Sequence, residues 1–123
     1  MIIDIDLTGE HAAIQLLEPE DCKRFHVAVR ARGAGGVPPT AAARAARDSA
    51  LETLGAVLPA HEIGQLLPSG DALIEVQAVR RLADGRTPDG WDRDFAAMVD
   101  YAKSKGWFDA DHEAIQAHVE WAG

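Results

Sequence analysis

The chain has 123 residues, 47% hydrophobic and 26% charged, with a formal net charge of −8 at pH 7. That balance reads as one globular domain over 1–123, able to bury about 65–70% of its unfolded surface without a disulfide or metal staple. The acidity argues against nucleic-acid binding, which needs a basic face, and no uncharged apolar run approaches the roughly 20 residues of a membrane span. Cys22 is the single cysteine, which excludes an intramolecular disulfide and a one-chain four-thiolate site.

At the N-terminus, Ile3, Ile5 and Leu7 alternate with Asp4 and Asp6, the period-2 pattern of a half-buried strand. This opening lacks the basic and long apolar regions of a secretory signal, so the chain reads as cytoplasmic; its Ala, Gly, Arg and Asp usage suggests a bacterial gene. Thr8 to Leu17 admits two readings. Thr8 caps a short helix ending before Pro19, or Thr8-Gly9-Glu10 turns a hairpin into a strand over Ala12–Leu17. Ala12, Ala13, Gln15 and Leu16 are poor or indifferent strand formers, which tilts the reading to helix. Phe25, Val27 and Val29 alternate with His26, Ala28 and Arg30, giving a strand from about Lys23 to Ala31.

The run Gly33-Ala34-Gly35-Gly36-Val37-Pro38-Pro39 breaks regular structure. Pro39 or Thr40 then opens an alanine-rich helix to about Leu58, with Ala43, Ala46, Ala50, Leu54 and Val57 as its apolar stripe and Pro59 as its stop. A shorter helix is expected from His61 to Leu67. From Asp71 to Ala83, Ser69 as a cap and Asp84-Gly85 as a stop favour a helix, with a strand over Leu73–Val79 as the competing reading. Asp89 caps a helix whose face carries Trp91, Phe95, Met98, Val99 and Ala102, closed by Gly106 in the left-handed conformation. Asp109 caps a last helix with Ile115, His118, Val119 and Ala122 on its apolar side. The two would form an antiparallel αα-hairpin. Trp91, Trp107 and Trp121 can serve its core, although Trp121 points away from Ile115 and Val119 and so suggests a subunit contact in a homo-oligomer.

Charge is unevenly spread. Between Cys22 and Arg47 lie six basic residues (Lys23, Arg24, Arg30, Arg32, Arg44, Arg47) and no acid, whereas the rest of the chain carries six bases against twenty acids. A strand, a glycine loop and a helix N-terminus together form a recipe for gripping an anion. Gly33, Gly35 and Gly36, with Arg30, Arg32, Arg44 and Arg47, are therefore the candidate ligand-binding residues. Against this, neither G-x-x-x-x-G-K-[ST] nor G-x-G-x-x-G is present, and Pro38-Pro39 removes two backbone donors; the plain alternative is a surface loop whose arginines pair with nearby acids.

His26, opposite the Phe25/Val27/Val29 face, is one candidate general base and His118 the other. A Cys22–His26 nucleophile fails on a strand, where the two lie about 13 Å apart. His112 and His118 are six apart and diverge by roughly 120° on a helix, so they cannot chelate as H-E-x-x-H does.

The expected fold is thus α+β and helix-dominated, with a small N-terminal sheet and a C-terminal αα-hairpin. The expected function is a small interaction or accessory protein using a basic, glycine-loop surface for an acidic partner or a small anion, with no cofactor. The alternative is a cofactor-independent lyase, isomerase or hydrolase with a histidine base and an arginine clamp.

Overall fold

Alternating apolar residues at both N-terminal segments become strands. β1 (Ile2–Asp6) and β3 (His26–Arg30) pair in parallel, with Ile3 opposite Val27 and Ile5 opposite Val29. The computed structural model describes residues 1–35 and 40–122. Ile3, Ile5, Val27 and Val29 are all fully buried, as the period-2 pattern requires of one sheet face.

Residues 13–17 resolve the first ambiguity against the helix. They form β2 (Ala13–Leu17), antiparallel to β1, with Ile14 opposite Ile5 and Leu16 opposite Ile3. Poor strand propensity is overridden because Leu16 completes the core on that face. A 20-residue helix, α1 (Ala41–Ala60), follows the glycine segment. The Thr40 hydroxyl caps it by accepting the Ala43 N–H at 3.1 Å, and Ala43, Ala50, Leu54 and Leu58 are buried. The helix runs through Pro59 rather than stopping at it, ending one residue later.

The rest of the chain departs from a helical reading. Instead of a helix over His61–Leu67 there is β4 (Gly64–Leu66), antiparallel to β5 (Ala72–Glu75). The 71–83 segment is both things in turn, since β5 runs directly into α2 (Val76–Ala83). Consecutive burial of Ala72, Leu73 and Ile74 suits a strand covered on both sides, whereas burial at Ala78, Val79 and Ala83 follows a helical stripe. α3 (Trp91–Ser104) is the helix expected, but Gly90 at φ 81° precedes it and Asp89 supplies no cap. Gly106 takes the left-handed conformation at its end, at φ 78°.

The last helix does not exist, and with it falls the αα-hairpin. Trp107 leads into β6 (Phe108–Asp109), a turn, and the nine-residue strand β7 (Ala114–Ala122). Asp109 caps the turn instead of a helix, its carboxylate accepting the N–H groups of Asp111 and His112, and Glu113 at φ 48° redirects the chain into β7. The His112 side chain and these N–H donors hold the Asp109 carboxyl below the usual Asp range.

The fold is therefore α+β but not helix-dominated. One mixed seven-stranded sheet, in the order β2-β1-β3-β7-β5-β4 with β6 also on β7, carries three helices among the described residues. Side chains from all three helices join one core: Leu54 and Leu58 of α1, Ala78, Val79 and Ala83 of α2, and Trp91 and Phe95 of α3. These meet the sheet face bearing Ile3, Ile5, Val27, Val29, Ala117 and Val119. A satellite cluster of Ala31, Ala34 and Ala50 holds the half-buried Trp121 against α1, so this tryptophan lies on the inner face rather than outside. No described helix is long and apolar enough to cross a membrane.

Candidate functional site

The opposite sheet face mixes polar side chains, among them Asp4, His26, Arg30, His118 and Glu120, with apolar ones such as Ile2 and Ala28. Register places His26 beside His118 on neighbouring parallel strands, so the two candidate bases stand abreast. Each has its own carboxylate: His26 Nε2 is 3.4 Å from Glu120, and His118 Nδ1 is 3.4 Å from Asp71. Asp71 is in turn held by Gln116, whose Nε2 donates to Oδ2 at 3.1 Å. Further along the same face, Arg30 donates to Asp4 at 2.9 Å and lies 3.7 Å from Asp6. Asp4 is only 6% exposed and accepts a second bond from Gln15 Nε2 at 3.0 Å, which together with Arg30 compensates its burial. The Asp6 carboxyl sits below the usual range, first because the Thr8 hydroxyl and then because the Thr8 N–H donate to it, with Arg30 adding to the effect.

The glycine segment and its arginines lie elsewhere. Ala34 N–H bonds to Ala31 O at 3.1 Å and Gly33 adopts φ 80°, so the chain turns sharply out of β3. Arg32 and Arg44 are exposed, and Gly35 is half-buried. Arg47 reaches back from α1 and donates Nε to Ala34 O at 2.6 Å, which fastens the turn to the helix. Gly36, the remaining candidate of this group, lies outside the described residues. Residues 22–47 thus distribute their positive charge over different places: Lys23 and Arg24 at a cleft, Arg30 on the open sheet face, and Arg44 and Arg47 on α1.

That cleft has a volume of about 680 Å³, within the range of small-molecule sites. Its origin lies in β7, which changes neighbour along one edge. β5 occupies the far edge at Ala114–Ala117. On the near edge, β3 pairs with His118–Ala122 and β6 with Ala114–Ile115. Two strands reaching one edge from opposite ends leave a wedge between them. At the wedge Gln116 donates its N–H to Trp107 O at 2.6 Å, while the Trp107 N–H is turned away to Ala102 O at 2.9 Å.

One wall is the α3 face of Asp94, Ala97, Met98 and Tyr101, spaced i, i+3, i+4, i+7. The other is the connection between β2 and β3, residues 20–25. This connection is fixed from two sides. The Trp91 indole donates Nε1 to Pro19 O at 2.6 Å, and the Met1 amino group donates to Asp21 O at 2.8 Å and Arg24 O at 2.9 Å. Tyr101 and Trp107, in edge-to-face contact at 6.0 Å, stand at the cleft with 56% and 46% exposure.

Cys22 lines this space and is half-buried, packed against the core. Burial first, then Asp94 and Asp21, push its thiol above the ordinary value, so it is a neutral S–H at physiological pH rather than a thiolate. Among the described residues no histidine lines the cleft, and no group of three or more His, Cys, Asp or Glu side chains is placed to hold a metal. Sequence patterning did not bring this site forward. Met98 belongs to the apolar face expected for α3, and nothing in the sequence shows what stands across from it as long as the segment after Asp109 reads as a helix.

No family model matches this chain, and neither a curated protein nor a solved structure matches it.

Proposed function

We propose that this protein is a small binding module, and that its ligand is a small molecule with an apolar, ring-like body held in the cleft between α3 and residues 20–25. One observation carries the reading: among the described residues, the exposed large hydrophobic side chains are Tyr101 and Trp107, and both stand at this cleft. Exposed aromatics at a concavity supply rigid stacking surface at low entropic cost. The walls are already fixed through Pro19 and Met1, so little ordering opposes binding. Rim charges of both signs, Lys23 and Arg24 with Glu20, Asp21 and Asp94, set the ligand's polar end.

Fluorescence titration and thermal shift against a panel of neutral, anionic and cationic aromatic compounds test this. A binder at 100 times its Kd stabilises by about 2.7 kcal/mol, and it should protect Cys22 from alkylation. Ala97→Trp, which fills the space from an exposed position, should abolish both effects with the fold intact. If no compound shifts the melting temperature or shields Cys22, the reading is wrong.

A catalytic reading has one observation in its favour, the pairing of His26 with His118. Arg30, the arginine on that face, is engaged by Asp4 and Asp6, which removes the anion clamp such a mechanism needs.

A further inference from the structure

The edge strand β2 has a feature that neither the cleft nor the open face uses. It sits at the end of the sheet with β1 as its ladder partner. Which of its backbone groups face outward follows from β1. Leu7 donates its N–H to Arg30 O and Met1 accepts from His26 N–H, so odd-numbered residues of β1 turn towards β3 and even-numbered ones towards β2. Asp4 is opposite Gln15, so Ala13, Gln15 and Leu17 bond inward, and Ile14 and Leu16 present their N–H and C=O groups to the outside.

Exposed edges are normally blunted by charge, proline or a bulge. β2, with the sequence Ala-Ile-Gln-Leu-Leu, has none of these. The opposite edge strand, β4, is shorter, three residues against five; each edge strand has a helix packed near it, α1 at β4 and α2 at β2.

We propose that β2 pairs with β2 of a second copy of this chain, antiparallel and centred on Gln15. The register follows from self-complementarity. About a two-fold axis at Gln15, Ile14 meets Leu16 of the other copy, and these are the residues whose backbone groups face outward on both sides. Their side chains lie on the core face, where Ile14 is still half-exposed and Leu16 is fully buried, so the second strand extends the apolar layer that Ile14 leaves unfinished. On the other face Ala13 meets Leu17. The Gln15 amides meet each other, and an amide both donates and accepts, so the pair is satisfied while Nε2 keeps its bond to Asp4. Glu18, at φ 49°, turns the chain away and ends the ladder.

Directly opposed residues of a non-hydrogen-bonded antiparallel pair have Cα atoms about 4.5 Å apart, within disulfide range of about 4.4–6.8 Å. Gln15→Cys on a Cys22→Ser background should therefore cross-link to a dimer under mild oxidation. Ala13→Cys on the same background should not, because its equivalents are about 13 Å apart. Sedimentation of the unmodified chain should show a shift from monomer to dimer mass as concentration rises. Three results would overturn the pairing: a monomer at every concentration, a dimer that does not cross-link at position 15, or cross-linking as efficient at 13 as at 15.

Discussion

Cys22 illustrates how environment, not residue type, sets chemistry. Lys23 and Arg24 follow it in sequence and suggest an activated thiolate, yet the thiol is instead pushed up by burial and by Asp94 and Asp21. The alkylation rate of Cys22 with iodoacetamide should therefore reach its half-maximum at higher pH than in the unfolded chain. Asp94→Asn should move that midpoint part of the way down; an unshifted midpoint would mean Asp94 exerts no field there. Because the folded value is the raised one, the associated stability is fully present below the ordinary thiol range and declines as pH rises through the folded value. The candidate residues were legible one at a time rather than as a group. Alternation places His26 opposite the buried face of its strand, where the structure has it. The pattern around His118 reads equally as helix, and only the strand β7 brings the two histidines side by side.

At the level of elements, the errors have a shared cause. Ile115, His118, Val119 and Ala122 form a helical stripe, but Ile115, Ala117, Val119 and Trp121 form an equally good alternation. Ile115 and Val119 belong to both patterns. Only the presence of β3 and β5 on either side, far away in sequence, decides between them. Residues 64–66 and 72–75 are too short to show any period, and their strands exist because β7 offers an edge to β5 and β5 in turn offers one to β4. By contrast, α1 and α3 carry their apolar stripes within their own sequence, and both helices survive with ends displaced by one or two residues, although Pro59 does not stop α1 and Asp89 does not cap α3.

Two glycines test the packing of these elements in opposite directions. A Cβ at Gly64 would lie 1.7 Å from the Leu73 carbonyl oxygen, a contact that only backbone movement relieves. Gly64→Ala should lower unfolding free energy by about 3 kcal/mol in urea denaturation, at the upper end of overpacking effects. Within α1, a Cβ at Gly55 meets Leu66 Cδ2 at an ordinary 3.7 Å. Gly55→Ala should stabilise by about 0.5–1 kcal/mol, since the helix gains propensity without a clash. A Gly64→Ala variant of unchanged stability would overturn the packing described around Gly64, and a destabilised Gly55→Ala variant the packing described around Gly55.

For the whole molecule, one buried hydrogen bond ties α3 to the connection that follows β2. The bond from Trp91 Nε1 to Pro19 O is buried and joins residues 72 positions apart. It secures the cleft wall to the helix that forms its other side. Trp91→Phe keeps the ring stacked on Phe95, whose centroid is 4.8 Å away, but leaves the Pro19 carbonyl without its donor. We expect a loss of about 1–3 kcal/mol, accompanied by faster alkylation of Cys22 as residues 20–25 loosen. Unchanged stability together with an unchanged alkylation rate would show that the wall is held by other contacts.

β7 also has a consequence for how the chain acquires its shape. It joins β3 to β5 and receives β6, yet it follows all of them in sequence, about ninety positions after the β3 residues it pairs with. During synthesis, the ribbon β2-β1-β3 and the hairpin β4-β5 emerge with their inner edges bare and no strand to bridge them. Pairings this distant are slow to form, and edges left open meanwhile are sites of misassociation. The same strand that shapes the cleft thus sets the length of the chain's most vulnerable interval on the ribosome.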